Sequence, residues 1–474
     1  MSQTIIEQQP LSNPGTFDKV LPVGQEIIYT VSNSSVVSSF TNAKFVAEVR
    51  ISSGLPPNPA TSDDLVGTFK TSPNNVGVGM FDFRPIIESF VKADNLAREG
   101  SAYKLATNTS DSNIPLHLID KYSGNLNTMR WFSVTFMVQY VDASGNLVTN
   151  SEVIAGLSII FNGYLKYTDE LVLAGVNFGY DLYSHFLLDG STKKFLTNAP
   201  TTQYANLEDY GTVGMLMLNA FSASNLSGFT HIEINYYSSS GAFLGTEDIE
   251  NSVANGGFVY PQADIQALSL YFGIFPANLQ GSSTLFKSLV TAGTIQGGYY
   301  EVSALSDSGL ISEIYTINLN CPTLKGYEPI RLTWLNQWGA WDYYTFNMKS
   351  TKTISTKGST YQQLQGTWNK SSYKIDSFKG GKKAFRVNAT EKIKMNTDFV
   401  SESESEWFEE LINSPEVYIL EGFQDDIVNS ALNNYVIPVR LTTSSYTKKT
   451  VANDKLMQYT FEVEKSKTLR TQSV

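Results

Sequence analysis

Apolar and polar residues alternate with a period of two along most of the 474-residue chain, and this restricts the fold more than any other feature. Phe45, Ala47, Val49 and Ile51 share one face of a segment whose other face carries Glu48 and Arg50. Phe132, Val134, Phe136, Val138 and Tyr140 stand opposite Ser133, Thr135 and Gln139 in the same way. Such segments, rich in Val, Ile, Tyr, Phe and Thr and separated by Gly, Ser and Asn clusters, predict strands that bury one side and wet the other. The expected fold class is mainly β: multidomain antiparallel β-sandwich or barrel modules with a few short flanking helices. Pro85 suits the first position of one helix, with Ile86, Ile87, Phe90 and Val91 on one face. Ser401 and Glu404 form a capping box for another. Its acidic first turn complements the helix dipole, its stripe is Trp407, Phe408, Leu411 and Ile412, and Pro415 ends it.

The length predicts about three domains. Residues 1–20 read as an N-terminal arm, 21–170 and 171–325 as two β domains, and 326–474 as a C-terminal β domain with a flanking helix at 401–413. Within the last, residues 350–381 are dominated by Ser, Thr, Lys, Gly, Gln and Tyr, which predicts a long exposed excursion. Strands are expected at 384–395, 417–420, 436–441 and 457–463. One turn pattern recurs: Ser-Gly follows Tyr140 and Tyr236 by four and five residues, with a looser copy at 304–311. The repetition reflects either shared hairpin chemistry or a duplicated β domain, with equivalent turns at Gly145 and Gly241. Charge divides the chain. Residues 1–330 carry 15 basic and 29 acidic side chains, a net of −14, whereas 331–474 carry 19 and 16, a net of +3.

An overall net charge of −11 argues against a protein that wraps duplex phosphates. Cys321, the single cysteine, has no intrachain disulfide partner, and with only His117, His185 and His231 beside it a structural zinc site is not expected. The chain has no G-x-S-x-G elbow, no H-E-x-x-H, no paired C-x-x-C and no dinucleotide fingerprint. Gly380-Gly381-Lys382 lacks the rest of a phosphate loop. His185 and His231 read as residues that hydrogen-bond in or beside a sheet. The acidic pairs Asp63-Asp64, Asp169-Glu170 and Asp425-Asp426 read as solvated loops, since neighbours in an extended segment point to opposite faces; calcium in such a loop stays open. No catalytic, cofactor-binding or metal-binding residue and no cofactor is therefore assigned. The longest apolar stretch, 153–161, falls short of the roughly 20 residues a spanning helix needs, so membrane insertion is not expected. The first residues lack a signal-peptide pattern, and synthesis in the cytoplasm is expected.

The run from Trp334 to Phe346 concentrates aromatics, notably Trp334, Trp338, Trp341 and Tyr343. They form either a contact cluster that stacks on sugar rings or a core hairpin turning about Gly339, anchored by Trp334, Trp341 and Phe346. The segment from Cys321 through Trp334-Leu-Asn-Gln-Trp338-Gly-Ala-Trp341-Asp-Tyr-Tyr-Thr-Phe346 resembles one in uncharacterised structural proteins of tailed phages, especially those infecting Bacteroidetes and those seen in marine phage sequences. Residues 194–200, the helix from Trp407 to Ser414 and the closing segment 453–463 are similar too. The resemblance covers about the last three-fifths of the chain and offers no catalytic residues to carry over.

It implies a virion protein made in the host bacterial cytoplasm. The expected role is a tail component, a distal-tail or baseplate-like ring or a tail adaptor, acting by symmetric self-assembly into a homo-oligomer and joined to other tail proteins. An acidic lumen would let DNA pass without specific binding. The competing readings are a receptor- or carbohydrate-binding tip protein using Trp338, Trp341 and Tyr343, a bacterial surface adhesin, and a glycosidase with two carboxylates about 5–10 Å apart.

Overall fold

The computed structural model describes residues 5–9, 11–12, 20–57, 64–97, 115–155, 157–166, 179–180, 194–216, 229–250, 265, 268–306, 309–319, 326–367, 371–421, 435–443, 445, 447 and 457–470. Cys321, His185, Asp63, Asp169-Glu170 and Asp425-Asp426 lie outside them. The protein is mainly β, with several sheets and few short helices. It divides into two compact units, residues 1–321 with 335–342 and 423–433, and residues 322–334 with 343–422 and 434–474.

In the first unit, a three-stranded sheet (Ile5–Gln9, Ile28–Ser32, Val78–Asp82) shares a core with a sheet in which Met129–Val141 and Thr41–Ser52 lie side by side. The alternating residues read from the sequence form that core. Phe45, Ala47, Val49, Phe132, Val134, Phe136 and Val138 are fully buried, and Tyr29 from the facing sheet packs against Phe83 and Phe136 at ring distances of 5.5 and 5.6 Å. The opposite face is drier than alternation predicts. Arg50, Ser133 and Thr135 are buried as well, made tolerable by the Arg50 guanidinium donating to Glu48 Oε2 at 2.8 Å and reaching Thr135 Oγ1 at 3.4 Å. The Pro85 helix is one α-turn, Arg84–Ile87, continued as 3-10 helix over Glu88–Phe90; it buries Ile87 and then Val91.

A second main sheet orders Thr202–Ala205, Tyr315–Leu319, Tyr299–Ser306, His231–Tyr237 and Phe243–Glu250. Between these layers in sequence, Tyr122–Gly124 pairs with Ser269–Gly273, which pairs in turn with Thr212–Leu216. That small sheet draws strands from both sides of residue 170, so the stretches 21–170 and 171–325 fall in a single unit rather than two. The stretch read as an N-terminal arm supplies the strand Ile5–Gln9, paired with Ile28–Ser32.

The recurrent turn has a physical basis. At Asp142, Ser238 and Asn336, and again at Asn74, a short polar side chain begins a turn whose glycine three residues on has φ between +72° and +84°. In each, the first residue's N–H donates to the carbonyl four residues on, and the glycine N–H donates back to the first residue's carbonyl. The side-chain oxygen of the first residue also accepts from the backbone N–H four residues later. One solution to turn closure is used four times in unrelated settings, so recurrence needs only shared turn chemistry.

Apart from residues 335 and 341–342, the second unit holds a seven-stranded sheet in the order Trp341–Phe346, Ile330–Leu335, Val417–Leu420, Val436–Leu441, Thr460–Lys465, Gly381–Asn396 and Thr351–Gln363. The helix Glu402–Asn413 packs on it with the expected capping box: Ser401 Oγ accepts from Glu404 N–H at 3.3 Å, and Ser401 N–H donates to Glu404 Oε2 at 2.7 Å. Its Trp407 and Phe408 meet Trp334 at 4.9 Å and Phe461 at 5.4 Å, with Leu411 buried and Ile412 half-buried. No helix among the described residues is long and apolar enough to cross a membrane.

Candidate assembly surface

The four aromatics singled out in the sequence do not make one exposed cluster. All are buried, Trp334 at 0%, Trp338 and Trp341 at 2% and Tyr343 at 4% exposure, so none presents a ring face to a sugar. Their surroundings also divide. Trp338 and Trp341 sit in the hairpin tip that belongs to the first unit, where Trp338 Nε1 donates to Asn198 Oδ1 at 3.0 Å and Trp341 Nε1 to the Asp94 carbonyl at 2.8 Å. Asn336 Nδ2 in the same tip donates to Leu196 O at 2.8 Å, and Thr197 Oγ1 donates to Asp342 Oδ1 at 2.6 Å. Thus 194–200 and the tip of the aromatic run, 336–342, both within segments that carry the phage resemblance, pack on each other. Trp334 and Tyr343 belong to the second unit, where Arg331 stands over the Tyr343 ring at 5.2 Å and donates to Thr345 Oγ1 at 2.8 Å. The hairpin turns at Gly339, whose φ is +72°.

What the structure exposes instead is the stretch read as an excursion. It supplies the first strand and the tip of a two-stranded antiparallel ribbon: Thr351–Gln363 pairs with Gly381–Asn396, which contains the strand expected at 384–395, with a bulge between Ser359 and Thr360. Its strand character was hidden because the first strand reads Thr-Lys-Thr-Ile-Ser-Thr-Lys, with no apolar period; β-branched threonines favour the extended backbone without marking a core. At the base, Thr460–Lys465 pairs with residues 392–396 of the second strand, and farther out Leu469 makes one bridge to Ala389. Beyond that bridge no described strand pairs with either edge, and residues 357–363 run free for about 25 Å at ~3.4 Å per residue.

The ribbon ends in an ordered tip. Gly366–Thr367 pairs with Lys374–Ile375, the Thr367 hydroxyl donates to the Asp376 carboxylate, and Lys383 Nζ donates to the Phe378 carbonyl at 3.0 Å. Among the described residues of the ribbon and tip, seven large apolar side chains are exposed, including Leu364, Phe378 and Ile375 at 75%, 73% and 69%. Ile354 and Val387 lie on one face, since Gly358, four residues beyond Ile354, is directly opposite Val387. Residues 351–396 also hold ten basic side chains against Asp376 and Glu391, a net of +8, so the other 428 residues carry −19. The positive charge that the sequence assigned broadly to 331–474 is therefore concentrated in this arm.

The remaining candidates are placed as follows. Asp64 is exposed in a left-handed conformation at φ +61°. His117 is buried edge-on against Trp341 at 4.8 Å. His231 lies on the outer face of the second main sheet, beside Glu233 and Asp248.

No protein-family model and no curated protein matches the chain. Among solved structures, native Escherichia coli alpha-2-macroglobulin is 8% identical over 82% of this chain and 22% of that one, with a TM-score of 0.18. Salmonella alpha-2-macroglobulin Y1175G is 6% identical over 99% of this chain and 30% of that one, at a TM-score of 0.19. Fibronectin(III)-like modules of Clostridium thermocellum CbhA are 9% identical over 68% of this chain and 98% of theirs, at 0.13. The chain thus spans less than a third of the macroglobulins it matches, and likeness at this level carries no argument about function.

Proposed function

We propose that this chain is a structural subunit of a tailed-phage virion, a tail component of distal-tail, baseplate-ring or adaptor type, acting by symmetric self-assembly and without catalytic turnover. The observation that carries the self-assembly reading is the exposed ribbon. An isolated two-stranded ribbon is marginal in water, and this one leaves apolar side chains in solvent that a neighbouring chain would cover. Its charge of +8 against −19 elsewhere favours the acidic surface of a sister copy over the like-charged arm itself. A stable contact of this kind buries on the order of 1,200–2,000 Å², and a heterologous contact that closes gives a ring. The virion placement rests on the sequence resemblance. Other tail proteins would meet the remaining surfaces, and the acidic lumen of a ring would pass DNA without holding it.

Two measurements test this reading. Negative-stain microscopy of the purified full chain is expected to show closed rings, and mass spectrometry of purified particles of the encoding phage is expected to find the chain in stoichiometric amounts. A chain absent from the particles contradicts the virion placement, and a monomer at high concentration contradicts self-assembly.

A further inference from the structure

On the outer face of the second main sheet, His231 and Glu233 occupy alternate positions of one strand, and Asp248 stands directly opposite Glu233 on the adjacent edge strand. One ligand atom from each lies within 4.8 Å of the other two, and His231 Nε2 is 3.8 Å from Asp248 Oδ1. The strand pairing creates this group. In sequence, sixteen residues separate His231 from Asp248 on the far side of a hairpin, so no short spacing motif betrays it.

The hydrogen bonds behind the group fix its chemistry. Thr230 Oγ1 lies 3.1 Å from the Leu305 carbonyl and 2.9 Å from His231 Nδ1; donating its one proton to the carbonyl leaves its oxygen to accept from that ring nitrogen. With Nδ1 turned to Thr230, Nε2 is the ring atom left to bind a metal, 3.8 Å from Asp248 Oδ1. Glu233 is held in turn: Asn235 Nδ2 donates to its Oε1 at 2.7 Å, and Asn235 Oδ1 accepts from Thr246 Oγ1 at 2.5 Å. Outer hydrogen bonds that set a histidine tautomer and orient a carboxylate are the supports that metal ligands require.

We propose that His231, Glu233 and Asp248 bind one zinc-class divalent metal ion through Nε2 and one oxygen of each carboxylate. Bonds of about 2.0–2.2 Å in a tetrahedron place donors ~3.3 Å apart, a closure that small side-chain rotations supply. Two carboxylates and a neutral imidazole balance the charge of the ion. The fourth position faces solvent, open to water or to a donor from another molecule.

Isothermal titration of zinc chloride into the tag-free full chain at pH 7.5, with magnesium in excess, tests the proposal. The expected result is one saturable site, weakened at least about tenfold by His231→Asn and by Asp248→Asn, and about 10–100-fold by Thr230→Val, which removes only the support behind the ring. Thermal melts in a chelator report whether each variant is folded. A readout that needs no folded variant is the imidazole NMR spectrum of the unaltered chain: of its three histidines, one set of ring signals is expected to move on zinc addition. Absence of saturable uptake, uptake that the substitutions leave unchanged, or a spectrum that zinc does not alter would overturn the proposal. An imidazolium merely ion-paired to Asp248 gives the first of these results.

Discussion

Gly339 and Gly145 hold the same left-handed backbone, at φ +72° and +84°, in the same kind of turn, yet their surroundings differ. A methyl group at Gly145 would enter open space, whereas one at Gly339 would run into the Asn162 backbone carbonyl. Gly145→Ala is therefore expected to cost only the conformational penalty, about 1–2 kcal/mol. Gly339→Ala should cost visibly more and shift the chemical-denaturation midpoint of the first unit further. Equal shifts would show that the tip does not hold the hairpin as described. Asp94 offers a second test at this scale. Its buried carboxylate accepts from the N–H groups of Leu126 and Asn127 at 3.0 and 2.5 Å and from Thr128 Oγ1 at 2.6 Å, while burial pushes its pKa above the usual carboxylate range. Asp94→Asn turns an amide NH₂ toward one of these donors and is expected to destabilise by about 1–3 kcal/mol, read by urea unfolding at neutral pH. Nothing in the local sequence marks Asp94, because its partners lie more than thirty residues away.

Among the elements, the helix Glu402–Asn413 was the most legible, since its cap, dipole complement and apolar stripe all sit within fourteen residues. Ser401→Ala should cost about 1 kcal/mol by removing the acceptor for Glu404 N–H. The strands of the first core were legible for the same reason: their partners are replaceable by the general rule that one face is buried. Elements defined by partners far away in sequence were not. The ribbon's first strand is polar and exposed, so nothing in its pattern required it to be extended; its register with residues 381–394 supplies that. The His231–Glu233–Asp248 group and the dividing of Trp338 and Trp341 from Trp334 and Tyr343 likewise arise only from pairing and packing. Because the ribbon side chains Ile354, Ile375 and Phe378 are exposed, replacing all three by Ser is expected to leave the melting temperature within about 2 °C while abolishing association. A large loss of stability on that substitution would show that they pack within their own chain.

At the scale of the whole molecule, the concentration of positive charge in one arm and of negative charge elsewhere makes a prediction about salt. Contacts between exposed charges are screened over about 10 Å at 0.1 M salt and about 3 Å at 1 M. Association driven in part by the arm should weaken as salt rises, and the apolar ribbon side chains should leave a residue of association that salt does not remove. Sedimentation across that range checks both expectations; association that strengthens steadily with salt would mark an apolar contact elsewhere. The most direct measurement compares solution masses by light scattering for the intact chain and for a chain in which residues 358–387 are replaced by Asn-Gly, closing the ribbon at its Lys357–Asn388 pair. The account predicts closed oligomers of the 52.4 kDa chain in the first case and a folded monomer in the second. Oligomers of unchanged size from the shortened chain, or a monomer from the intact one, would contradict it.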